Sequence, residues 1–308
     1  MVWLKRRDSA GGHHLRDAIR GATKSVFSNT NEAEGTDANI MSAFTSDGFT
    51  LGNGDNTNGS AGTYVGWAWD AGTAAATAST DGDITPDAQW VNATAGFSIS
   101  KFEGSATTPK TIGHGLSAVP EFIILKNIDR AVDWVCYHKA LGNTQAQELN
   151  QNTAAEAADS GFWHNTTPTN TVFTTGNGHG YRTGGIVETF LAYCWTPIDG
   201  YSAFGSFTGN ESTNGPMINC GFRPRYVMLK DSVNANDWYV FDTERLKYNP
   251  IVEPLYPNGN HAEQGDSRPV DILSNGFKIR NASYFNANGD KILWCAFAEH
   301  PFKTARAK

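Results

Sequence analysis

The segment Glu121–His138, EFIILKNIDRAVDWVCYH, recurs as Arg225–Asp242, RYVMLKDSVNANDWYVFD, and in looser form as Val2–Asp17, VWLKRRDSAGGHHLRD. In each copy an apolar run ends in Leu-Lys, at Lys5, Lys126 and Lys230. Eight positions on stands a ring, His13, Trp134 or Trp238, and four beyond it a polar residue, Asp17, His138 or Asp242. One spacing used three times implies one structural unit built three times, so the repeat limits the fold before any single motif does.

A second set of copies fixes the secondary structure. Tyr64–Trp69, Phe190–Trp195 and Ile292–Phe297 alternate, with Val65-Trp67-Trp69, Leu191-Tyr193-Trp195 and Leu293-Cys295-Phe297 on one face and mostly small residues on the other. A period of two with one bulky face is a strand packed against a second layer. Phe49, Phe173 and Phe277 precede these strands at closely matched distances. A leading hairpin, Gly96–Gly104 in one copy and Gly200–Gly209 in another, has no counterpart before Val2. The expected fold is therefore all-β: three tandem antiparallel β-sandwich modules, jelly-roll-like and set in a row, the first incomplete. The boundaries read as module one at 1–72, a linker or long loop at 73–95, module two at 96–199, module three at 200–302 and a basic tail at 303–308. An uncovered sheet edge in module one would suit a neighbouring subunit.

Composition agrees. Nine Trp, ten Tyr and seventeen Phe argue against disorder, and abundant Gly, Asn, Thr and Ser suit short strands joined by polar turns. The net charge of −7 is spread out, and clustered cations occur only at Lys5-Arg6-Arg7 and in the tail. Nucleic-acid binding, which needs concentrated positive charge, is disfavoured. No apolar run is long enough for a membrane span, and MVWLKRRD lacks the apolar core of a secretory signal. The cysteines, Cys136, Cys194, Cys220 and Cys295, have no metal-type spacing. They read as buried free thiols of a protein folded in a reducing cytoplasm.

The combination of VWLKRRDS, RGATK at Arg20–Lys24, SDGFTLG at Ser46–Gly52, YVGWAW, FGSFTGN, GFRPRYVMLK, LSNGFKIR and the ending AFAEHPFKTARAK resembles a repeat domain of marine bacteriophage virion proteins. There it occupies the C-terminal half of large tail-fibre-like or structural proteins, often after a concanavalin-like or SPRY-like domain. The resemblance covers nearly all of the chain. It implies location in the virion after assembly in host cytoplasm, homo-oligomerisation (trimeric by analogy with fibres) and contact with other virion proteins. Attachment to host-surface glycans is the role it suggests. A capsid decoration or particle-assembly role without receptor binding is the alternative, and a polysaccharide depolymerase trails both. This chain departs from the pattern by starting at the first VWLK strand.

The residues themselves do not point to catalysis. The histidines lack zinc spacing, and His13 stands where the other copies carry Trp. A glycosidase needs two opposed carboxyl groups in a cleft, yet the register of Asp17 and Asp242 holds His138 in the second copy. No nucleophile elbow, phosphate loop or calcium loop with EF-hand spacing is present. Asp129, Asp133, Asp231 and Asp237 read as caps of the turn after the Leu-Lys strand. The recurring lysines read as solvated residues ending buried strands. The chain is thus expected to be no enzyme, with no cofactor and no metal. Candidate ligand-binding residues are the unrepeated aromatics Trp163, Tyr181, Tyr248 and Tyr256, which could stack on sugars or anchor a partner. Trp90 and Tyr284 share such surroundings.

Overall fold

The computed structural model describes residues 1–156, 161–176, 179–265 and 268–300, so the basic tail lies outside the described residues. The first stretch forms β1 (Val2–Arg6), β2 (His14–Arg16), β3 (Lys24–Phe27), β4 (Gly35–Thr36), β5 (Met41–Phe44), β6 (Phe49–Leu51), the short helix α1 (Asp55–Asn58) and β7 (Tyr64–Ala68). Next come β8 (Ala88–Asn92), β9 (Phe97–Glu103), β10 (Lys110–Gly113), β11 (Phe122–Asn127), β12 (Val135–His138), β13 (Gln147–Glu148), β14 (Val172–Thr175), α2 (Gly180–Thr183) and β15 (Thr189–Trp195). The last stretch forms β16 (Ser202–Thr208), β17 (Met217–Asn219), β18 (Pro224–Asp231), β19 (Trp238–Asp242), β20 (Val270–Leu273), β21 (Gly276–Ile279) and β22 (Lys291–Ala298).

These strands make three main antiparallel sheets, ordered β4-β3-β2-β1-β7, β13-β12-β11-β15-β9-β8 and β16-β22-β18-β19. In each, the Leu-Lys strand lies between the strand that follows the repeated ring residue (or begins with it, at Trp238) and the closing strand. A smaller sheet backs each one: β5-β6, β10-β14 and β17-β21-β20. The linker expected at 73–95 is part of the fold. Its β8 pairs with β9 along five residues, and Ile84 bridges to Ile112. The alternation Gln89-Trp90-Val91 carries too few apolar residues to read as a strand until β9 supplies its pairing.

The modules do not stand in a row. One face of each main sheet packs on its own smaller sheet, as Val2 and Leu4, Ile123 and Leu125, and Val227 and Leu229 show. The opposite faces meet one another. Trp3 and Trp69, Phe122 and Trp195, and Tyr226 and Phe297 belong to a single buried cluster. Trp69 lies edge-on to Trp195, Tyr226 and Phe297 at centroid distances of 6.2, 5.5 and 5.5 Å. Edge-to-face aromatic pairs add roughly 0.5–1.5 kcal/mol each beyond the area they bury. The bulky face read from the sequence is thus the inter-module face, and the three sheets close round a common core.

Candidate functional site

The repeated residues build the seams of that closed arrangement. Each Leu-Lys lysine is fully buried. Lys126 Nζ donates to the carbonyls of Val132, Arg130 and, across the seam, Asn31, at 2.8, 3.3 and 3.1 Å. Lys230 Nζ donates to Asn236 and Asp231 at 2.7 and 2.8 Å, and across its seam to Thr153 at 2.8 Å. Lys5 Nζ donates to the Arg6 carbonyl at 2.5 Å. The expectation of solvated lysines is corrected: carbonyls ending one loop and beginning another take the place of water. Burial nevertheless lowers all three ammonium groups to about 8, because removing a cation from water disfavours its charged form.

The ring position also crosses seams. Trp134 Nε1 donates to the Phe27 and Thr30 carbonyls at 3.0 and 3.1 Å, and Trp238 Nε1 donates to Glu148 O at 2.8 Å. His13 lies against the backbone of Tyr256, while its Nδ1 accepts from Trp3 Nε1 at 2.8 Å. An asparagine holds the backbone amide of each ring residue. Asn29, Asn150 and Asn258 accept from His13, Trp134 and Trp238 at 2.7, 2.9 and 2.9 Å. Sequence reasoning missed these asparagines, although they follow the ring by 16, 16 and 20 residues. Asp133 and Asp237 orient the second and third of them rather than capping a turn. Asn127 and Asp231 take the capping role, each accepting two turn amides.

Four residues past the ring, the polar position closes the circle. Asp17 accepts from Tyr193 Oη of module two at 2.7 Å, and Asp242 accepts from Trp67 Nε1 of module one at 3.3 Å. His138 Nε2 lies 3.2 Å from the Trp294 carbonyl of module three. The change from Asp to His goes with a change of partner, from a donor to a carbonyl. Trp67, Tyr193 and Cys295 share one register, and a thiol replaces the strong donors of the other two copies. Asp17 and Asp242 each carry a buried partner three residues on, Arg20 at 2.6 Å and Arg245 at 2.5 Å. Burial alone would raise Asp17, but the Arg20 charge and the bonds from Arg20 and Tyr193 hold it below the usual carboxylate range. Burial lowers His138 to about 4 and keeps it neutral.

One carboxyl behaves differently. Glu148 is raised to about 7 by burial and by the nearby Glu156 and Asp133. Arg182 Nη1 binds Glu148 Oε1 at 2.7 Å and Glu156 Oε1 at 2.5 Å, and Thr153 donates to Glu148 Oε2 at 3.1 Å. Both oxygens are therefore engaged within the fold, as in a tie and unlike a free general acid. No group of three or more His, Cys, Asp or Glu side chains that could hold a metal occurs among the described residues.

The aromatics proposed from the sequence separate into two kinds. Trp163 is buried, edge-on to Tyr137 at 5.6 Å, with Nε1 donating to Gln145 O at 3.1 Å. It packs its long loop onto module two and offers no face to a ligand. Tyr256 is partly buried against Tyr239, 5.5 Å away, and is likewise a packing residue. Tyr181 and Tyr248 are 55% and 86% exposed. Trp90 packs on the common core, while Tyr284 is exposed and stacks on the Arg268 guanidinium at 3.5 Å. Tyr181 sits on α2, fixed by Asn127 Nδ2 donating to its carbonyl at 2.8 Å, and the Arg130 guanidinium lies 4.7 Å from its ring. Arg130 in turn binds Glu188, and Val187 beside it is 61% exposed. This patch offers an aromatic face, a guanidinium and a carboxylate together, the chemistry that stacks and hydrogen-bonds a polar ring.

A family model described as a domain of unknown function, DUF7483, matches residues 1–301. The chain belongs to that family. No curated protein and no solved structure matches it. Within this DUF7483 domain the repeated ring and polar positions bond across seams to neighbouring modules. The exposed aromatics are peculiar to single modules.

Proposed function

We propose that this DUF7483 chain is a phage virion structural protein, a tail-fibre or surface-appendage component that attaches to host-surface glycans through loops its modules do not share. One observation carries the attachment reading. The repeated lysines, ring residues and polar positions are all buried, and most of them bond across a seam, whereas the exposed rings Tyr181 and Tyr248 stand in unrepeated segments. A stable frame carrying differentiated outer aromatics suits recognition, since rigid rings give contact area at small entropic cost. The resemblance to virion repeat domains supports the location.

Binding of the purified chain to a glycan array and to host cells tests this. Tyr181→Ala and Tyr248→Ala should each weaken binding about tenfold or more while leaving the melting temperature unchanged. Binding to purified particles with no binding to any glycan or cell would sink the attachment reading and favour a decoration role.

A further inference from the structure

In the second and third main sheets a strand flanks the closing strand on its outer side. β9 pairs with β15 along seven residues from Phe97 to Glu103, and β16 pairs with β22 from Ser202 to Thr208. In the first sheet, among the described residues, β7 pairs with β1 alone. The bonds from Trp69 N to Met1 O and from Arg7 N to Thr63 O, at 2.9 and 2.8 Å, fix the pleat. Residues 63, 65, 67 and 69 bond to β1, so the amides and carbonyls of Tyr64, Gly66 and Ala68 point the other way. Among the described residues no backbone hydrogen bond reaches them, and Gly66 and Ala68 are exposed.

The side chains leave the same gap. Phe49 is half-buried where its counterparts Phe173 and Phe277 are fully buried, and Val65 is half-buried where Leu191 and Leu293 are buried. Phe44 and Leu51 are also only partly covered. Natural edges are commonly blunted by charge or proline, yet residues 63–69, TYVGWAW, contain neither.

We propose that the outer edge of β7 is a docking site for an extended strand of a second, different polypeptide, added antiparallel to β7 where β9 and β16 sit in the other two sheets. Those strands define its chemistry. Each places an apolar residue toward the common core and a phenylalanine three positions later toward its own sandwich: Ile99 and Phe102, or Phe204 and Phe207. Phe102 stacks on Phe190 at 5.7 Å. The incoming strand therefore carries an apolar residue, two small or polar residues and a phenylalanine, with the phenylalanine opposite Tyr64 and over Phe49. Main-chain bonds give the affinity and the two apolar positions give the register.

A synthetic peptide with the sequence of residues 200–209, GYSAFGSFTG, added to the full chain is the probe. Saturable binding should slow amide exchange at Tyr64, Gly66 and Ala68 about tenfold or more. A Phe207→Asp peptide should not bind. The chain variant Ala68→Pro, which removes an amide that β1 does not use, should fold and lose the effect. Binding that leaves those three amides unchanged, or that Ala68→Pro does not weaken, overturns the proposal. So does concentration-dependent protection of the same amides without peptide in a species of twice the mass, which would assign the edge to a second copy of this chain.

Discussion

Among the described residues, the cluster inside the first sandwich holds three buried apolar side chains, Val2, Leu4 and Ile40, with Met41 buried on β5 in addition, where the cluster inside the second holds fourteen. Their strand plans match, so the difference does not come from the repeat. It comes from the flanking strand and long covering loops, such as the one holding Phe162 and Trp163, which the second module has and the first lacks. So few buried side chains, at about 1.5–3 kcal/mol each, could not offset the ordering of roughly seventy residues. Module one is therefore held mainly from outside, by Trp3, Trp67 and Trp69 in the common core and by the polar seams. A repeat unit can keep its plan while delegating its stability to its neighbours.

The largest test breaks the seam that ties module three to module one. Asp242→Ala removes the acceptor of Trp67 Nε1 and a buried partner of Arg245. Arg245 keeps Glu263 at 2.6 Å, so the loss should be about 3 kcal/mol, the low end for breaking a buried pair. Amides of β1 and β7 should exchange faster by a larger factor than those of β11 and β15, as read by native-state hydrogen exchange. An equal factor in both sheets would show that module one is no more dependent on its neighbours than module two.

A paired substitution, whose two costs should differ by roughly 1.5–2.5 kcal/mol, sharpens the same contrast. Phe173 is fully buried and Phe49 half-buried at the same repeat position. Phe173→Ala should cost about 3–5 kcal/mol through lost burial and the cavity left behind. Phe49→Ala should cost roughly half that or less, since water already reaches the ring. Urea unfolding of both variants decides the matter, and equal costs would mean that module one's own core matters as much as module two's.

The strands were legible because their signal is local. The alternation of Tyr64–Trp69 and the apolar run before each Leu-Lys are set by residues that touch along one sheet. The closure was not legible. A bulky strand face reads the same whether it meets a partner sheet of its own module or two others across an axis, as Trp69 does. The lysines misled for a related reason, since Lys126 is solvated by carbonyls such as Asn31 O that lie far away in sequence. The variable polar position looked like a rim, but its identity follows its partner: Asp where Tyr193 or Trp67 donates, His where the Trp294 carbonyl lies. Among the candidate aromatics, Trp163 and Tyr248 have similar polar neighbours in sequence, and only the path of each loop separates a buried ring from an exposed one.

The smallest effect concerns how two buried carboxyl groups respond to pH. Asp17 in module one is held below the usual range by Arg20, so the stability it contributes is present above its unfolded value of 3.8 and lost as pH falls. Glu148 in module two is raised from 4.5 to about 7, so its folded state holds a proton more tightly than its unfolded state. That contribution is fully present below pH 4.5 and disappears as pH rises through about 7. The difference follows from geometry. Asp17 has one arginine three residues away and a phenol donor, whereas Glu148 shares Arg182 with Glu156 and gains a second negative neighbour in Asp133. Glu148→Gln should therefore raise the melting temperature relative to the parent by more at pH 8 than at pH 5. A gain that shrinks over that interval would mean that Arg182 outweighs the burial and crowding of Glu148, making this cluster an ion pair of the same kind as the one at Asp17.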